Sequence, residues 1–162
     1  MFRAALVPLV TALIATPAAA DLSSQLEAFV VQPAADGTER LAPASRVEPG
    51  QVIEYRMLHT NTFPHATGGV TVMGPVPPGG VLDTASLRSD AEALVEVRGD
   101  FDPDAPGEEW TTLPAMKLVK KPDGTRTWAP AAPEDLTAVR WRLGGTMQAE
   151  AAVRHAYRVE IE

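Results

Sequence analysis

Polar and apolar residues alternate most strictly between Gln51 and Thr60, with Ile53, Tyr55 and Met57 on one side of a two-residue period. Glu54, Arg56 and Thr60 fall on the other. A half-buried β-strand produces this pattern, because successive side chains point to opposite faces of a sheet. The period returns at the far end of the chain. Ala151, Val153, His155, Tyr157, Val159 and Ile161 alternate there with Ala152, Arg154, Ala156, Arg158, Glu160 and Glu162. Met147–Ala156 is rich in alanine and glutamate, which favour helix, but the period of two runs to the terminus and predicts a strand. Further strands are predicted at Leu26 to Val31, Gly69–Met73, Ala93–Arg98 and Leu136–Leu143. Thr111–Lys121 and Thr125–Trp128 flank Pro122-Asp123-Gly124, and Asp-Gly between two such runs is a hairpin signal. Turns or loops are expected at Pro33–Gly37, Pro43–Pro49, Pro75–Gly79, Asp100–Glu109 and Pro130–Asp135. Together these elements predict an all-β chain folded as an antiparallel β-sandwich. Its core should hold Ile53, Tyr55, Met57, Val70, Val72, Trp141, Tyr157 and Val159.

The first twenty residues follow another rule. Arg3 supplies a positive start, Ala4–Ile14 is apolar, and Ala18-Ala19-Ala20 offers small residues before the polar Asp21-Leu22-Ser23-Ser24. This is the layout of a signal peptide cleaved after Ala20. The apolar run falls short of the roughly 20 residues that span a bilayer, so stable membrane insertion is not expected. No cysteine follows to carry a lipid anchor, and no sorting tail follows the last strand. Residues 21–162 are expected to form one soluble domain, periplasmic or secreted.

Charge and composition narrow the partners. Without Arg3 the chain holds 13 basic and 21 acidic residues, a net charge of −8. That balance argues against nucleic acid or anionic lipid as the main partner. Zero cysteines exclude disulfides, thiol chemistry and thiolate metal sites.

Val47–Tyr55 (Val-Glu-Pro-Gly-Gln-Val-Ile-Glu-Tyr), Asn61, Gly68-Gly69-Val70-Thr71-Val72 and Pro75-Val76-Pro77-Pro78-Gly79 follow one another as a turn, a strand, an asparagine stop, a second strand and a proline turn. This order resembles the bacterial conserved repeat domain, domain of unknown function 11, and Leu136–Leu143 resembles that family's penultimate strand. The resemblance implies an immunoglobulin-like sandwich on an exported protein and implies no activity. The chain departs from the pattern at four places. His59 stands where the family has a branched aliphatic, Gly74 where an acid precedes the proline turn, and Phe63 where a glycine follows the asparagine, with Pro64-His65 inserted beside it.

The candidate chemistry is sparse. His59, Phe63 and His65 surround the loop where the departures cluster, and they are the candidate binding residues. The three histidines, His59, His65 and His155, are a candidate copper or zinc set, with Met57 or Met73 adding softness for cuprous ion. Against this stands the reading that they are strand-end and loop histidines with ordinary hydrogen bonds, since a six-residue offset is not a known ligand spacing. Asp100, Asp102, Asp104, Glu108 and Glu109 form a carboxylate-bearing loop that lacks the glycine of a calcium hand, and Pro103 and Pro106 stiffen it. Trp110 and Trp128 could stack on a sugar, whereas Trp141 belongs to a core strand. No Gly-x-Ser-x-Gly elbow, His-Glu-x-x-His helix or phosphate-cradling glycine loop occurs.

The expectation is an exported, non-catalytic binding module without a cofactor, engaging a protein or a surface glycan. The alternatives are a small metal-handling protein using His59, His65 and His155, and a carbohydrate-binding module using Trp110 and Trp128.

Overall fold

The computed structural model describes residues 22–162, so the expected signal peptide and its cleavage site lie outside the described residues. The described chain is antiparallel β throughout. Its strands are β1 (Leu22–Pro33), β2 (Glu39–Pro43), β3 (Val52–Asn61), β4 (Thr71–Pro75), β5 (Gly80–Ser89) and β6 (Ala93–Gly99). They continue with β7 (Glu109–Thr112), β8 (Met116–Lys120), β9 (Arg126–Pro130), β10 (Leu136–Leu143) and β11 (Ala152–Ile161). One sheet has the order β2-β1-β3-β11-β5, the other β4-β10-β6-β7, and β8-β9 is a separate hairpin.

The two larger sheets pack as a sandwich because their alternating strands each have one apolar face to bury. In the register of β3 against β11, Ile53 pairs with Val159, Tyr55 with Tyr157, Met57 with His155 and His59 with Val153. Those odd-numbered residues face inward. Met57, Val153, Tyr157 and Val159 among them meet Val72 of β4, Val97 of β6 and Val139 and Trp141 of β10 in one core, with Tyr55 packed against it, while Ile53 is buried where it pairs with Val30 of β1. Trp141 and Tyr157 are fully buried. The Tyr157 ring crosses between the layers and its hydroxyl donates to the Pro75 carbonyl at 2.8 Å. Every residue expected in the core is buried except Tyr55, which is half-buried and stacks on Tyr157 at 5.0 Å.

Three elements differ from the sequence reading. The first strand is longer than Leu26–Val31, because β1 pairs with β3 from Leu22 to Val31. Its leading half is largely exposed and has no alternation to betray it. The strand β2, on the far side of β1, gave no pattern at all. The run Thr111–Lys121 divides into β7, which joins β6, and β8, which joins β9. The break falls at Leu113-Pro114, a cis bond, where proline offers no N–H to a ladder. The hairpin turn is as expected. Gly124 takes φ +85°, and the Asp123 carboxylate accepts from the Thr125 amide at 2.8 Å.

The asparagine that ends β3 is a clamp. Asn61 is fully buried, and its Nδ2 donates to the carbonyls of His65, Met147 and Gln148 at 2.9, 2.9 and 3.0 Å. Its Oδ1 accepts from the Phe63 amide at 3.1 Å. One side chain thereby ties the loop after β3 to the connection before β11.

Candidate functional site

Chemistry gathers in two places, one on each side of the five-stranded sheet. The first is a cleft of about 720 Å³ on its outer face. The even-numbered residues Glu54 and Arg56 of β3 and Arg154 and Arg158 of β11 lie on its floor, opposite the inward-facing set. Glu54 accepts from Arg56 Nε at 2.7 Å through one oxygen and from Arg158 Nε at 2.9 Å through the other. Arg158 also grips Glu39 at 2.6 Å. The hydrogen bonds to Glu39, and then those to Glu54, raise the Arg158 pKa and fix its charge.

The wall of the cleft is a bulge in β5. Asp83 pairs with Arg158 and Arg88 with Ala156, so four residues, Thr84 to Leu87, stand opposite Tyr157 alone. The excursion is stitched to the sheet. Ser86 Oγ accepts from the Arg158 amide at 2.7 Å and donates to the Asp83 carbonyl at 2.6 Å, while the Asp83 carboxylate accepts from the Ala85 amide at 3.0 Å. The Arg88 guanidinium donates to the carbonyls of Ala85 and Leu87 at 2.8 and 2.9 Å, and no described carboxylate pairs with it. Bulges re-aim side chains and recur beside binding sites.

The second place is the interior directly beneath. Met57, His59 and His155 sit together on the inward face, because Met57 precedes His59 by two residues and lies across from His155. They are 5%, 7% and 2% exposed. The His59 and His155 rings are 5.7 Å apart, and Trp141 covers His155 at 5.0 Å. His59 Nδ1 lies 2.8 Å from Ser24 Oγ. Its Nε2, both nitrogens of His155 and Trp141 Nε1 have no hydrogen-bond partner among the described residues. Burial lowers the pKa of His59, and burial with the neighbouring His59 lowers that of His155 to about 4.

The other candidates separate. Phe63 and His65 stack at 4.7 Å on the loop after β3, where His65 is exposed, while His59 lies inside against His155. Trp110 on β7 is covered by Arg140 at 4.3 Å and Arg98 at 5.6 Å, whereas Trp128 stands 56% exposed on the β8–β9 hairpin. The ring nearer the core is thus already stacked by guanidinium groups, and the two indoles belong to different sheets. The carboxylates of the acidic loop turn to separate partners. Asp104 pairs with Arg126, Glu108 with Arg98, and Glu109 accepts from the Phe101 amide. No cluster of three or more His, Asp or Glu able to hold a metal occurs among the described residues.

Sequence reasoning passed over the cleft. Its floor depends on Glu54 meeting Arg158, 104 residues later, which no local pattern records. The β5 bulge did leave a trace, because the alternation of Leu82–Ser89 fails at Thr84-Ala85-Ser86. Compared with protein-family models, curated proteins and solved structures, the chain matches none.

Proposed function

We propose that this chain is an exported, non-catalytic binding module, an immunoglobulin-like sandwich of the conserved-repeat kind, and that it holds its partner in the outer-face cleft walled by the β5 bulge. The observation that carries this reading is the cleft itself. Its volume, about 720 Å³, falls within the range of ligand sites, and its wall is held rigid by the Ser86 and Asp83 hydrogen bonds. Both oxygens of Glu54 are taken by arginines, leaving neither free to accept a substrate proton. That arrangement suits binding better than proton transfer.

The lining chemistry points to a polypeptide partner. Arg56, Arg88, Arg154 and Arg158 are offset by Glu27, Glu54, Asp83 and Asp90, so the cleft lacks the single-sign field that gathers a polyanion. Among the described residues no carboxylate pairs with Arg88, and Arg154 is loosely held by Asp90 at 3.6 Å with 72% of its side chain exposed. Both can reach carboxylates of an incoming chain.

A photo-crosslinking residue at Ala85, which is exposed on the cleft wall and bonded only through its backbone, tests the reading in the native export fraction. The expected result is a discrete adduct containing a second polypeptide, lost in Arg88→Glu. The same residue at Leu94, 49% exposed on the other sheet, should give none. Equal adducts from both positions, or none from either, would defeat the proposal.

A further inference from the structure

We propose that Met57, His59 and His155 form a site for one soft monovalent cation of the cuprous type, copper(I) or silver(I), beneath the ring of Trp141. Met57 and His155 also border the outer cleft, but the three side chains are buried on the inward face of β3 and β11.

Three buried nitrogens point to a ligand. His59 Nε2 and both nitrogens of His155 are unpartnered among the described residues, on side chains more than nine-tenths buried. Leaving such buried nitrogens unpaired is costly, so two imidazoles with unpartnered nitrogens on one sheet face call for an occupant. In the tautomer with its proton on Nδ1, His59 donates to Ser24 Oγ and leaves a lone pair on Nε2. Metal-binding imidazoles are oriented in that way by a bond to the other nitrogen. The spacing also fits. Each ligating nitrogen lies about 2 Å from a metal, with its ring centre about 1 Å further back. Two rings sharing one ion therefore stand about 5–6 Å apart, and His59 and His155 are separated by 5.7 Å.

The third ligand selects the ion. The β3–β11 register sets Met57 across from His155 and two residues from His59, so a thioether completes the triangle. Thioether and imidazole together favour copper(I) over zinc. No third histidine or carboxylate joins the two imidazoles in a metal-binding group among the described residues, and Asp90 is the one carboxylate whose charge is felt at His155, too little to offset a buried divalent ion. Entry is available from the edge of the sandwich. A second cavity, of about 340 Å³, is lined by Met57, His59 and Met73, and Met73 is 55% exposed at its mouth. The interior site draws on two of the three histidines suggested by the sequence and replaces His65 with a methionine.

The test is competition between the purified protein and the copper(I) chelator bicinchoninate under reducing conditions, with silver(I) as a redox-inert second probe. The wild type should withdraw one copper(I) per chain. His155→Leu should abolish uptake, the nearly isosteric Met57→Leu should weaken it at least tenfold, and His65→Ala should leave it unchanged. X-ray absorption of the wild-type copper complex should show two nitrogen neighbours and one sulfur, a readout that does not depend on how the variants fold. Failure of the wild type to compete, loss of binding in His65→Ala, or a copper shell without sulfur would overturn the proposal. If the nitrogens are bridged by internal water, the wild type will not compete.

Discussion

A β-carbon added at Gly74 would lie 2.5 Å from Tyr157 Cε1 and 2.8 Å from its Cζ, so the ring occupies the space a side chain would need. In sequence Gly74 is a departure from a family pattern that suggested local chemistry, and its cause is packing against a residue 83 positions later. Gly74→Ala should lower stability by about 2 kcal/mol, as overpacking typically does, seen as a reduced urea midpoint with an unchanged m-value. His59 and His155 were legible as inward-facing residues, whereas their mutual contact depended on register. His155 has a pKa of about 4 in the fold, against about 6.5 in the unfolded chain. Below pH 6.5 the unfolded chain takes up a proton that the folded one refuses, so stability falls between about pH 6.5 and 4 and then levels off. Burial of His59 adds a contribution of the same sign. Unfolding free energies from urea titrations at pH 7 and pH 4.5 should differ by roughly 2 kcal/mol, and His155→Leu should reduce the difference. Equal free energies in the wild type would show that His155 is hydrated in the fold.

At the level of single elements, strict alternation was a dependable guide and its absence was ambiguous. The β3 and β10 spans were legible almost to the residue, and β11 was separated from a competing helix by its period alone. The β1 edge and β2 were not, because their exposed residues need no apolar stripe. The division of Thr111–Lys121 at Pro114 needed knowledge of which sheet each half joins. The β5 bulge is the element on which the cleft depends. Ser86→Ala would leave the buried-side Arg158 amide without its acceptor, at a cost of about 1–2 kcal/mol. Amide exchange at Arg158 should quicken more than at Val153, which lies before the first β11 residue that pairs with β5. Unchanged exchange at Arg158 would mean that the bulge is held by its other bonds.

Across the whole molecule, the all-β architecture and most of its core follow from period and turn chemistry, while the location of a site does not. Trp141→Ala should cost about 3–5 kcal/mol, since the ring is fully buried between the two sheets, and a loss under 1 kcal/mol would contradict that packing. Export predicts a mature chain starting at Asp21, read by intact-mass spectrometry of the exported fraction, and retention of Met1 there would refute it. The sequence drew attention to the loop carrying Phe63 and His65, since that is where it departs from the family pattern it resembles. The fold instead forms a cleft of about 720 Å³ over β3, β5 and β11, between residues too far apart in sequence to form a motif. The measurement that separates these two surfaces is hydrogen–deuterium exchange on the complex recovered by the Ala85 crosslink, compared with the free protein. The account predicts protection over Asp83–Asp90 and Arg154–Arg158, with Thr62–Val70 unchanged. Protection confined to Thr62–Val70 would contradict it and return the binding site to the loop.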